Sequence, residues 1–194
     1  MVNFLAHLFF SGNTSEIIVG NMMGDFVKGR LDDRYPPGIT RGLELHRRID
    51  SFAGHHPAFT ASRRRLDPRF GHYRGVLVDL FYDHFLAVEW GRLTEEPFSA
   101  FLARVEGVLN EHAAILPEEL RARLPDILHD WLPSYRDVEG IGLVLQRMAR
   151  RVRRPNPLGD GGAELVRHYG KLRDEFLVFF DDLKEYVVPF IEER

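Results

Sequence analysis

Apolar residues recur at three- and four-residue spacing along most of the chain, as in Ile17, Val19, Met22, Met23, Phe26 and Val27. That period puts them on one face of an α-helix. The other period, apolar and polar residues alternating between hairpin turns, does not occur. The pattern therefore predicts an all-α protein whose helices pack as an irregular bundle. No fixed-length repeat points to a solenoid.

Punctuation divides this pattern into segments. Thr14 or Ser15 caps the first predicted helix and Gly29 ends it. Pro36, Pro37 and Gly38 read as a loop before a second helix over residues 40–52, and a third runs over 73–90. Pro97, Pro117 and Pro125 mark successive helix starts, because proline suits a first turn where its N–H would have no partner. Asp137 caps a helix that reaches residue 151, residues 153–162 form the longest loop, and a last helix spans 163–188.

With 194 residues, 44% of them hydrophobic, the chain can bury a substantial core, and no linker-like stretch divides it. Residues 1–194 read as one helical domain. Cysteine is absent, which excludes disulfides, thiolate nucleophiles and cysteine-held zinc. Any metal must then be held by imidazole nitrogen and carboxylate oxygen. No apolar run approaches the ~20 residues that cross a bilayer, and the start of the chain has no signal-peptide pattern. A cytoplasmic protein with no membrane and no nucleic acid as partner is expected.

The polar residues hardest to explain structurally fall in the first 84 positions, inside apolar segments. Asp25 sits in GNMMGDFVKG among Met22, Met23, Phe26 and Val27, where a carboxylate is costly to bury unless paired or metal-bound. His46 and Asp50 stand four apart in HRRID and so share a helix face. Asp79 and Asp83 repeat that spacing in VLVDLFYDHFL, with His84 about 100° further round the helix. Three helices that each offer inward carboxylate or imidazole ligands build a metal site in a bundle. Oxygen and nitrogen ligands alone favour manganese or magnesium, with iron as an alternative.

The bland reading stands beside this one: a lone histidine on an apolar face is commonly a satisfied core residue, and an aspartate often caps a helix or pairs with arginine. His7, in NFLAHLFF, either reaches the same cluster or bonds locally. His55, His56, His72, His112, His129 and His168 lie among polar or loop residues and are expected at the surface or at helix ends. No glycine-rich phosphate loop, dinucleotide turn or serine-nucleophile elbow occurs, which leaves metal-activated water as the nucleophile.

Four segments in order, NFLAHLFFSG, GNMMGDFVKG, GLELHRRID and the stretch from Asp79 through Asp83, His84 and Phe85, resemble the acyl carrier protein phosphodiesterase family. WLPSYRDVEGIGLVLQRMARR extends the likeness to about residue 154. The resemblance implies a helical fold related to the HD-type phosphohydrolases and dependence on manganese. It also implies removal of the 4′-phosphopantetheine arm from holo acyl carrier protein, to leave the apo form. Asp25, His46, Asp50, Asp79, Asp83 and His84 are the positions it carries over as ligands. HD enzymes carry adjacent His and Asp, whereas this chain has His46 and Asp50 four apart and Asp83 before His84.

Arg47 or Arg48, beside the ligand face of its helix, is expected to neutralise charge on the phosphoryl oxygens. Net charge is −3, but arginines bunch at 63–65 and again at 147, 150, 151, 153 and 154. Either cluster suits an acidic carrier protein, and either suits a solvated helix face. Two rival readings keep the same residues: a metal-dependent hydrolase of a nucleotide or other small phosphoester, and a non-catalytic helical module whose Asp and His are structural.

Overall fold

The structure is a computed structural model that describes residues 4–31 and 34–192, so that Asn3, the first residue of NFLAHLFFSG, lies outside the described residues. Within them there is no strand, and the elements are α-helices joined by short turns. These are α1 (Phe4–Phe9), α2 (Ser15–Met23), α3 (Pro37–His55), α4 (Pro57–Arg65), α5 (Tyr73–Val88) and α6 (Trp90–Leu93). Then follow α7 (Phe98–Glu111), α8 (Glu118–Asp126), α9 (Leu132–Ser134), α10 (Val138–Arg151) and α11 (Gly162–Glu192). One hydrophobic cluster extends from Phe4 to Val187. Among the described residues no helix is long and apolar enough to cross a membrane.

The all-α expectation holds, and the departures from it are local. Helix α2 stops at Met23 instead of continuing to Gly29, so Asp25 lies on the turn beyond the helix end. The chain there passes close to α3: a Cβ on Gly24 would stand 2.0 Å from Cγ of His46. Pro37 begins α3 instead of belonging to a loop. Helices α1 and α4 occupy segments to which the apolar period assigns no helix, being only 6 and 9 residues long. Pro125 does not start a helix. It lies in the last turn of α8, and the chain winds on through a π-helical turn at Ile127–Trp131; proline removes one bond of the regular ladder and crowds the preceding turn.

The central element is α5, buried on every side from Leu77 to Ala87. This explains its weak amphipathicity, since a helix surrounded by protein needs no polar face. Helices α2 and α3 meet backbone to backbone where Gly20 faces Gly42, and a Cβ on Gly20 would lie 2.1 Å from the carbonyl oxygen of Ile39. Without side chains at these two positions the helices come close enough for groups one turn further along to bond across the interface.

Candidate metal centre

His46 follows Gly42 by one turn of α3, and its Nδ1 lies 2.8 Å from the backbone oxygen of Asn21 on α2. The side-chain oxygen of Asn21 lies 2.8 Å from Nδ1 of His7 on α1. The amide of Asn21 is itself fixed, because its Nδ2 donates to the His7 carbonyl and to Ser11 Oγ, while Ser11 Oγ donates to that same carbonyl. One residue thus presents an acceptor to each imidazole. Both Nδ1 atoms must carry the proton, and both Nε2 atoms are turned the other way.

What the Nε2 atoms meet is Asp50. Its Oδ1 is 3.4 Å from His7 Nε2 and its Oδ2 is 3.3 Å from His46 Nε2. The two rings stack with 3.9 Å between centroids. Asp25 Oδ1 approaches His46 Nε2 at 3.7 Å from the turn after α2. Ligand atoms of His7, His46 and Asp50 all lie within 4.8 Å of one another.

The two imidazoles of this group differ in charge. Burial, with the neighbouring His46, holds His7 below its ordinary value, so His7 is neutral and its Nε2 lone pair faces a carboxylate oxygen. Both His7 Nε2 and Asp50 Oδ1 are buried without a hydrogen bond. Burial alone would lower His46, but Asp25 and Asp50 lift it to about 9. Burial works against the Asp50 charge as well, and His46 and His7 hold that carboxyl well below the usual range. Orphaned buried donors and acceptors are rare in native structures and call for an ion or water. A divalent cation between the Nε2 atoms and Asp50 fits: it would take up the His7 lone pair and the unpaired carboxylate oxygen and displace the proton from His46 Nε2, and Asn21 would serve as the outer partner that fixes both rings.

Asp79 lies deeper. It is 1% exposed, and neither carboxylate oxygen has a hydrogen-bond partner among the described residues. Burial, and then the charges of Asp50 and Asp25, push it up to about 8. A carboxylate here is ionised at neutral pH only if positive charge arrives beside it.

The remaining expected residues are engaged elsewhere. Asp83 accepts hydrogen bonds from the backbone N–H of Leu5 and of Ala6, both at 2.9 Å, so it caps α1 and thereby sets the helix that carries His7. His84 has Nδ1 on the Tyr135 carbonyl at 2.7 Å and Nε2 on the Tyr169 hydroxyl at 3.1 Å, so neither nitrogen is left for a metal. Arg47 donates to the carbonyls of Gly29 and Val27 and braces the turn after α2. The Arg48 guanidinium lies 4.6 Å over the Phe190 ring. Both guanidinium groups thus have partners outside the cluster.

Two participants do not stand out in the sequence. His7 completes the histidine pair, one of the two readings its apolar surroundings allow. Asn21, fully buried in an apolar helix turn, carries the signal that would have found it: an amide with 0% exposure must have fixed partners.

A sequence model described as acyl carrier protein phosphodiesterase matches residues 2–183. The chain belongs to that family. A relative from Salmonella dublin named acyl carrier protein phosphodiesterase is 33% identical over 184 residues, covering 92% of this chain and 94% of the relative. One of the same name from Photorhabdus laumondii is 30% identical over 188 residues, covering 95% and 94%. No solved structure matches. The family match spans α1 to most of α11, and therefore every element that contributes to the cluster.

Proposed function

We propose that this chain hydrolyses the phosphodiester that joins 4′-phosphopantetheine to the serine of acyl carrier protein, using a divalent cation, preferably manganese, held by His7, His46 and Asp50 with Asp25 beside them. The observation that carries the metal is the pair of Nε2 atoms turned onto Asp50 by Asn21. The carrier protein as substrate comes from the relatives' names, and the phosphopantetheine arm from the family resemblance of the sequence segments. A cation at this position supplies Lewis-acid polarisation of a phosphoryl oxygen and a water of lowered pKa.

The bond changes are simple. Water oxygen bonds to phosphorus, the bond from phosphorus to the serine oxygen breaks, and a proton of the water ends on that serine oxygen. The products are apo carrier protein and 4′-phosphopantetheine. Asp50, held ionised between two imidazoles, keeps negative charge at the centre, and Asp79 is the nearby carboxyl able to hold a proton near neutral pH. The fixed Nδ1 bonds keep both rings from turning, so the Nε2 positions are organised before substrate arrives.

Five arginines between 147 and 154 supply the docking face for an acidic carrier. Arg147 and Arg151 pair with Asp130 and Asp126. Arg150, Arg153 and Arg154 are exposed and have no ion pair among the described residues. A cysteine-free chain whose described residues include no membrane-crossing helix suits a cytoplasmic encounter.

Incubating purified protein with holo acyl carrier protein and manganese, and following the carrier's mass, tests the reaction. Loss of the phosphopantetheine mass with the native chain and none with Asp50→Ala is expected. An unchanged carrier mass, in a preparation that hydrolyses bis(p-nitrophenyl) phosphate with manganese, would move the substrate to a small phosphoester.

A further inference from the structure

A groove of about 520 Å³ opens beside the cluster, with Asp25 on its wall. Its size falls in the ~300–1,000 Å³ range of small-molecule sites. Much of the lining is apolar: Phe26 from the turn after α2, Met148 from α10, and Ile127 and Trp131 from the π-helical turn. Widened turns of that kind are frequent at functional sites, and this one brings two large side chains to a single groove.

The charged residues of the lining fall into two kinds. Arg123 is paired with Glu119 at 2.7 Å, and Arg151 with Asp126 at 3.3 Å, so these present donors and acceptors with little net charge. Lys28 is different. It lies three residues from Asp25, is exposed, and has no ion pair among the described residues. One end of the groove, next to the metal ligands, therefore carries a free positive charge, while the rest is apolar with paired polar groups.

That order matches a phosphate followed by a neutral, flexible chain bearing amides and methyl groups. We propose that the groove binds the 4′-phosphopantetheine arm itself, with Lys28 against the phosphate, Trp131 and Met148 against its apolar stretch, and the Arg123–Glu119 pair against its amides. This rests on the reaction proposed above and adds to it the means of selecting the arm: the metal cluster alone would accept any phosphodiester, whereas the groove rewards the attached chain. A lysine point charge with no ion pair among the described residues is suited to an incoming phosphate.

The test is calorimetric titration of free 4′-phosphopantetheine into the manganese-loaded native chain, Lys28→Ala and Met148→Trp. Saturable binding by the native chain, weakened at least tenfold in both variants, is expected. No binding to the native chain, or unchanged affinity in either folded variant, overturns the proposal. Manganese content and melting temperature establish that Met148→Trp is folded, and Lys28→Ala changes an exposed side chain, so it carries the result if the other fails. The carrier-mass assay reads the reaction separately. Cleavage of holo carrier together with unaltered binding in the variants overturns the groove alone, while weakened binding without any cleavage overturns the reaction and leaves the groove standing.

Discussion

His7 and His46 stack with their ring planes 14° apart, and Asn21 binds the Nδ1 of both. Two imidazoles from different helices are parallel because one residue holds them, and a cation bound between them and Asp50 must be sensitive to that residue.

Asn21→Leu should therefore weaken manganese binding by ~10–100-fold, the usual cost of losing an outer partner of a metal ligand. Fluorescence or calorimetric titration of manganese into the two proteins measures this. Unchanged affinity would mean that the histidines need no orientation by Asn21.

Asp83 acts on the cluster through α1. Removing its carboxyl group leaves the Leu5 and Ala6 N–H groups without their acceptor, and a buried donor left unsatisfied costs ~1–3 kcal/mol. Asp83→Ala should lower unfolding stability by roughly that amount, read by urea denaturation. It should also reduce manganese affinity, because the six-residue helix that carries His7 loses its cap. A direct ligand would instead show full loss of metal with little change in the stability of the metal-free protein.

The metal-free protein should lose stability as pH rises. His46 has its folded-state value lifted from 6.5 to about 9, so its contribution is complete below about 6.5 and is gone above about 9. Asp79 adds a penalty of the same sense. The unfolded chain ionises it above 3.8 and the folded chain not until about 8, so the penalty grows across that window. A loss of ~2 kcal/mol lowers the Tm of a chain this size by roughly 4–8 °C. Melting curves at pH 6.5, 8 and 9 with a chelator check the slope, and Asp79→Asn should flatten its lower part. Saturating manganese should reverse the trend, because the ligands bind metal only when deprotonated.

Charge reversal separates the two arginine clusters. Arg150→Glu, Arg153→Glu and Arg154→Glu together should lower kcat/KM on holo carrier by ~10-fold at low salt, mainly through KM, and the deficit should shrink as salt rises. Arg63→Glu with Arg64→Glu should have little effect, since α10 borders the groove beside Asp25 and α4 contributes no lining residue to it. Steady-state kinetics at two ionic strengths measure both.

The elements long enough to show several turns were legible in the sequence: α3, α5, α7, α10 and α11 all lie where the apolar period and the prolines put them. So was the His46 and Asp50 pair, because a four-residue spacing on one helix fixes a shared face. Asp83 has the same spacing from Asp79 and faces α1 instead, since α5 is enclosed on all sides and a shared face there says nothing of which neighbour it meets. The close approach of Gly24 to His46, beside which Asp25 lies, is a relation between two segments that neither segment records alone. The stacking of His7 on His46 is of the same kind.

The most direct measurement is pulsed electron paramagnetic resonance of the manganese-loaded protein with ¹⁵N-labelled histidine. Coupling of the metal to two histidine nitrogens, reduced to one in His7→Ala and in His46→Ala, is the expected result. Bound manganese with no histidine coupling, or coupling that survives unchanged in either variant, would contradict a metal centre built on His7, His46 and Asp50.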